Sequence, residues 1–195
     1  MIERMEATVI GPTRDIDLVE RARNGDLKAF ESIVRDRMGA VYRLSLAITG
    51  NETDAADATQ DAFVAAWKQV RSLRDPARLD AWLGRIAINS ARMVVRARSR
   101  RSVREIRGLD SIAMTAAAEP ATTGFSPLER DARALITALE RLDADKRAIL
   151  ALRHLEGRGI PEIAAILDIP EGTAKSRLFV ARKALQAILA EDSRP

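Results

Sequence analysis

The stretch IPEIAAILDIPEGTAKSRLFVARKAL, Ile160 to Leu185, decides the fold. Its first half sets Ile160, Ile163, Ala164 and Leu167 at i, i+3, i+4 and i+7, one face of a helix. Asp168-Ile169-Pro170 breaks that period, and Ala174, Leu178, Ala181, Leu185 and Ile188 resume it. Two helices meeting at a short turn are expected. The second opens at Glu171-Gly172-Thr173 and carries Thr173, Lys175, Ser176, Arg177 and Arg182 at outward positions, donors suited to phosphate oxygens and base edges. From Glu171 to Leu189 four basic residues, Lys175, Arg177, Arg182 and Lys183, stand against one acid, Glu171. Such a helix draws phosphate, and its binding weakens steeply with salt. Periodicity alone is met as well by an ordinary helical hairpin with a solvated basic face. The small residues at the turn and the charge imbalance favour a recognition helix.

Outward from this stretch, Ser126-Pro127-Leu128-Glu129 reads as a helix start, with Ser as cap, Pro at the first helical position and Glu three residues after the cap. Helical pattern then runs, with breaks, to about Glu191. The preceding segment, containing GLDSIAMTAAAEPATTGFS, is rich in Ala, Thr, Ser and Gly and has no sustained period. From Leu18 to about Arg101 successive amphipathic helices are broken at Gly25, at Gly50-Asn51 and at Arg74-Asp75-Pro76. The expected organisation is an N-terminal tail (1–16), a helical domain (17–101), a flexible linker (102–126) and a helix-turn-helix domain (127–191). The fold class is all-α: two small helical domains joined by a linker. No internal repeat of fixed period is present.

Composition agrees. Hydrophobic residues make up 47% of the 195-residue chain, enough for packed cores, and aromatics only 4%, which disfavours a β-sandwich. With no cysteine and one histidine, His154, disulfides, thiolate zinc sites and Cys/His nucleophile pairs are excluded. The N-terminal MIERMEATVIGPTRD lacks the apolar core of a secretory signal, and no run approaches the roughly 20 apolar residues of a membrane span. A soluble, cytoplasmic protein without membrane insertion is expected. No phosphate-binding glycine loop, paired histidines or nucleophile elbow is found, so no enzyme, cofactor or metal is expected.

The net charge of +4 is unevenly distributed. From Arg92 to Arg107 there are seven arginines and one acid, Glu105, so repulsion within the segment goes unrelieved and nucleic-acid backbone is the natural counter-charge. In AWLGRIAINSARMVVRARSRR, Leu83, Ile86, Ala87, Ser90, Val94 and Ala97 share one helical face. Arg85, Asn89, Arg92 and Arg96 share another, and Trp82 and Met93 lie at the seam. Asn89 is placed to read an adenine edge or to be a plain surface amide. Phe63, Trp67 and Trp82 are candidates for base stacking, although the i, i+4 spacing of Phe63 and Trp67 fits a core. The loop Arg71 to Arg78 is short, basic and polar, with room for an extruded base.

The segment DAADATQDAF, Asp54 to Phe63, carries three aspartates and no cation. The macrodipole accounts for Asp54 and in part for Asp57, but Asp61 lies about two turns in, with no Lys or Arg three or four residues away. A solvated acidic face is one reading. A separate basic protein partner is the other.

Together these segments resemble the extracytoplasmic-function sigma factors, the short group of the sigma-70 family that keeps only regions two and four. The resemblance runs from about Asp17 to Leu189. DAADATQDAFVAAW is similar to D-A-E-D-x-x-Q-E-x-F-x-x-x-W, which implies that Asp54, Asp57, Gln60 and Asp61 dock on the beta-prime clamp helices of core RNA polymerase. AWLGRIAINSARMVVRARSRR resembles the family's W-L-x-x-I-A-x-N segment with its basic tail. That implies minus-ten promoter contacts by Ser72, Arg74, Trp82, Arg85, Asn89, Arg92 and Arg96. LRHLEGRGIPEIAAILDIPEGTAKSRLFVARKAL resembles the helix-turn-helix for the minus-thirty-five element, which implies contacts by Thr173, Lys175, Ser176, Arg177, Phe179 and Arg182. Gly159 replaces the usual capping serine, Ala174 a valine, and Val180 stands where the family often has arginine.

The resemblance implies an alternative sigma factor that binds core polymerase, including the beta flap, directs initiation at chosen promoters, helps melt the minus-ten element and is restrained by an anti-sigma factor. A two-domain repressor would need the helix-turn-helix but not the aspartate face. A decoy that titrates a regulator would leave the minus-ten arginines idle.

Overall fold

The structure, a computed structural model, describes residues 12–108 and 127–192. They form helices α1 (Pro12–Arg23), α2 (Leu27–Thr49), α3 (Glu52–Gln69), α4 (Leu79–Gly108), α5 (Pro127–Glu140), α6 (Ala144–Leu150), α7 (Ile160–Leu167) and α8 (Glu171–Asp192). No strand occurs among the described residues, as the low aromatic content and the helical spacing of the apolar residues predict. The expected tail and linker fall largely outside the described residues.

Helix boundaries follow capping chemistry at the expected breaks. After α1, Gly25 takes φ +93°, and Asp26 then caps α2 by accepting the Ala29 N–H at 3.1 Å. Gly50 closes α2 in the left-handed region at φ +79°, donating its N–H to the Leu46 carbonyl. Asn51 opens α3, its side chain accepting the Asp54 N–H at 2.8 Å. Between α3 and α4 the chain makes two single turns, Val70–Ser72 and Pro76–Arg78, on either side of the expected break.

Two boundaries differ from expectation. α1 starts at Pro12, ahead of Asp17, because Pro suits a first helical turn and Asp15 complements the dipole there. α4 continues past Arg101 to Gly108, the first glycine after Gly84, so the arginine-rich segment prolongs the helix instead of opening the linker.

α1 to α4 pack around Val19, Phe30, Ile33, Leu44, Ile48, Phe63, Leu83 and Ile88. Fully burying a side chain such as Ile48 contributes about 1.5–3 kcal/mol. Ala55, Ala58, Ala62 and Ala66 on α3 are fully buried, and these small residues let α3 and α4 approach closely. Phe30 and Trp67 meet at 5.0 Å between ring centroids, tilted by 53°. Arg37 on α2 ties this group together through Asp15 on α1 at 2.6 Å and Asp80 on α4 at 2.7 Å.

α5 to α8 pack around Leu142, Ile149, Leu152, Ile163, Ile166, Ala174 and Leu178. The path from α6 to α7 includes a widened turn, Ala151–Leu155, closed by the Glu156 N–H to the Ala151 carbonyl. The two groups of helices do not stand apart. α6 and α7 lie on α2 and α4, and the buried side chains of both groups form one continuous cluster.

Candidate nucleic-acid and protein interfaces

Three surfaces gather the residues singled out in the sequence. The first is a groove between α3 and the C-terminal half of α4. Asp54, Asp57, Gln60 and Asp61 line one side, and Met93, Arg96, Arg98, Arg100 and Arg101 line the other. Asp57, Gln60 and Asp61 are exposed. Asp54 is half-buried, accepting from Asn51 Nδ2 at 2.6 Å and from Arg98 at 3.3 Å. The expectation that this face has no cation of its own is therefore corrected in part: α4 supplies one, for Asp54. Among the described residues Asp57 and Asp61 make no ion pair.

The second surface is a cleft between the α3–α4 connection and α4. Ser72, Trp82, Arg85, Asn89, Arg92 and Met93 line it from the first group of helices. Ile166, Leu167 and Asp168 close it from the second group. Ser72 donates its hydroxyl to the Gln69 carbonyl at 2.7 Å, closing the turn after α3. Arg74 is exposed just beyond that turn. Arg85 and Asn89 are exposed one turn apart on α4 and Arg96 lies further along, whereas Arg92 is half-buried.

Trp82 departs from expectation. Only 8% of it is exposed, and it packs into the core while lining the cleft. A stacking platform needs an open ring face, and little of Trp82 is open in this arrangement. Phe63 is likewise core and Trp67 half-buried, as their spacing predicted.

Two arginines of this cleft are held from across the interface. Arg85 donates to Asp168 at 3.3 Å, and Arg92 pairs with Asp145 at 2.6 Å. Sequence reasoning missed both acids, because nothing local links positions so far apart in the chain.

The third surface is the outer face of α8. Lys175, Ser176, Arg177, Phe179 and Arg182 are exposed and Thr173 is half-buried. The buried positions Ala174, Leu178 and Ala181 seat the helix on α6 and α7. Lys183 lies over the Phe179 ring at 5.0 Å, holding an exposed aromatic beside a cation. Arg182 approaches His154 Nε2 at 3.4 Å. Partial desolvation first, then Arg182 and Arg153, lower the pKa of the exposed His154 imidazole from its ordinary value.

The turn before α7 is built without the usual capping serine. Gly159 has no side chain to offer, yet half of the capping box survives, since the Glu162 carboxylate accepts the Gly159 N–H at 2.8 Å. That bond first, then Arg158, pulls the Glu162 carboxyl below its usual range. Asp168 ends α7 in the left-handed region at φ 56°, its N–H returning to the Ala164 carbonyl. Val180 is exposed on α8, so no cation replaces the arginine often found there.

No helix of the described residues is long and apolar enough to cross a membrane. Comparison with known proteins matches residues 33–101 to sigma-70 region 2 and residues 132–185 to sigma-70 region 4. The chain is 31% identical over 191 residues to the RNA polymerase sigma-H factor of Pseudomonas aeruginosa, covering 91% of this chain and 97% of that one. It is 34% identical over 173 residues to the ECF RNA polymerase sigma-E factor of Escherichia coli, covering 86% and 90%. Among solved structures, CnrH in complex with the cytosolic domain of CnrY aligns with a TM-score of 0.63 at 30% identity, covering 92% of this chain and 99% of CnrH. The sigma factor RpoE bound to the anti-sigma factor NepR, from Bartonella quintana, aligns with a TM-score of 0.59 at 28% identity, covering 86% and 100%. The chain belongs to the extracytoplasmic-function sigma factors of the sigma-70 family, which are transcription initiation factors.

Proposed function

We propose that this chain is an alternative sigma factor that recruits core RNA polymerase with the α3 face and selects promoters with α4 and α8. Asp54, Asp57, Gln60 and Asp61 dock on the beta-prime clamp helices, and the α5–α8 group meets the beta flap. Ser72, Arg74, Arg85, Asn89, Arg92 and Arg96 engage the minus-ten element. Strand opening there costs a few kcal/mol, offset by pocketing an extruded base and by backbone contacts. Thr173, Lys175, Ser176, Arg177, Phe179 and Arg182 engage the minus-thirty-five element in the major groove. The chain acts in the cytoplasm, carries out no chemistry itself, and is restrained by an anti-sigma factor, as the solved relatives bound to CnrY and NepR suggest.

The observation that carries this reading is the exposed pair Asp57 and Asp61 in a basic chain, without an ion pair among the described residues. A repressor has no use for that face. The test is affinity of the purified chain for core RNA polymerase, beside Asp57→Arg. Tight binding that the exposed substitution removes without altering helicity supports a sigma factor. No binding by the unaltered chain returns the reading to a repressor or decoy.

A further inference from the structure

Ser176, Phe179, Val180 and Lys183 fall at i, i+3, i+4 and i+7 on α8 and make one exposed ridge. Ala174, Leu178 and Ala181 are buried on the opposite side, so this ridge is the part of the helix furthest from the protein. Its centre is apolar: 59% of Phe179 and 53% of Val180 are exposed. Phe179 has the Lys183 ammonium over its ring at 5.0 Å. Lys175, Arg177, Arg182 and Lys183 surround the pair, and Glu171 is the one acid from Glu171 to Leu189. For stability alone, valine is a poor choice at position 180. It has a lower helix propensity than lysine, glutamate or alanine and leaves apolar surface wet. For recognition its stiffness helps, because a helical valine holds almost one χ1 rotamer and loses little freedom on contact. A surface that fits this ridge is anionic at its edges and apolar at one point of its floor. The major groove has that form: phosphates rim it, and the apolar group on its floor is the thymine 5-methyl.

We propose that Val180 determines specificity on the minus-thirty-five surface by packing its γ-methyl groups on the 5-methyl of a thymine. This rests on the assignment of α8 to that element. Arginine in the same place would favour guanine, whose O6 and N7 match its fork, so the residue at position 180 selects the base.

The test uses the full chain assembled on core RNA polymerase and duplexes randomised over about ten base pairs, one turn of the groove. The selected duplexes should hold a thymine at a fixed position. Deoxyuridine is then placed at each selected thymine in turn, which keeps the pairing and the O4 acceptor and removes only the methyl. At one position this exchange should weaken binding about fourfold, the effect of one buried methyl group. Val180→Ala should weaken binding to the thymine duplex by a similar factor, yet change binding to the uridine duplex by less than about twofold, since both changes remove the same contact. Position 180 is exposed and alanine favours the helix, so such a loss is not one of folding. Val180→Arg should move the selected base at that position from thymine to guanine.

A selected element without thymine, or a uridine cost of equal size in the parent and in Val180→Ala, overturns the proposal and leaves α8 on the minus-thirty-five element. Val180→Ala that lowers affinity for core polymerase with base preference intact makes the ridge a protein contact, and overturns it as well. A selection that yields no preferred sequence, or one insensitive to Lys175→Ala and Arg177→Ala, removes the minus-thirty-five assignment, and the proposal falls with it.

Discussion

Arg98 reaches from α4 to place its guanidinium 3.3 Å from the Asp54 carboxylate at the head of α3, across 44 positions of sequence. Asp54 is thus held on two sides, by Arg98 and by Asn51 Nδ2 at 2.6 Å, whereas Asp57 and Asp61 stand exposed in the same groove. The four docking positions are therefore not equivalent. Asp54→Ala should lower both polymerase affinity and stability, the latter by about 0.5–1 kcal/mol for a partly exposed pair at a helix start. Asn51→Ala removes the cap itself and should cost about 0.5–2 kcal/mol. Urea unfolding of both, beside Asp57→Arg, checks the distinction; an Asn51→Ala midpoint equal to the parent would remove the capping account.

On α8 the exposed donors divide into those reading bases and those touching phosphate. Lys175→Ala or Arg177→Ala should weaken binding to a minus-thirty-five duplex by about 1–3 kcal/mol where the side chain contacts a base. Loss of a phosphate contact should weaken all sequences alike and flatten the salt dependence by about one unit of slope. Val180→Arg should do the reverse, since the side chain is exposed beside Arg177 and Ser176, and its salt slope should steepen. Footprints and salt titrations indistinguishable from the parent in all three would defeat the placement of α8 in the groove.

The helix-turn-helix was legible because Ile163, Ala164, Ala174 and Leu178 fall at helical spacing on either side of a turn rich in breakers, and all four are buried. The breaks at Gly25 and at Gly50-Asn51 were legible as well, since both glycines take positive φ. Arg98 was not legible as a partner of Asp54, because spacing rules look three or four residues along one helix and this pair joins two. The same limit hid Asp145 and Asp168, whose partners lie on the other group of helices. Trp82 was ambiguous for a different reason: an aromatic at the seam of an amphipathic helix turns inward or outward according to its neighbours, and here the packed α3–α4 contact takes it in.

Ile48 on α2 and Ile88 on α4 are each fully enclosed in the core. Ile88→Ala should cost about 2–5 kcal/mol, since the close α3–α4 packing leaves little room for collapse around the void. A domain of this size has only some 5–15 kcal/mol in reserve, so polymerase and DNA affinity should fall together on warming. Thermal unfolding followed by circular dichroism reads the loss; a cost below about 1 kcal/mol would mean that the helices close over the cavity.

His154 gives the chain a pH dependence of stability whose sign follows from its surroundings. Burial and the neighbouring Arg182 and Arg153 lower its pKa in the folded state, so as pH falls the unfolded chain takes up the proton first. The contribution is complete above the ordinary histidine range and is lost as pH drops through that range toward the lowered folded value. Glu162, held down by the Gly159 N–H and then Arg158, loses its contribution only in the more acidic carboxylate range, so the two windows separate. Melting temperature should therefore decline between about pH 7 and pH 5, and His154→Gln should remove that decline, leaving the lower one. Because protonated His154 also faces Arg182 at 3.4 Å, minus-thirty-five binding measured across the same range should change where stability does. A melting curve flat over that interval in the parent protein would show that folding does not lower the imidazole pKa.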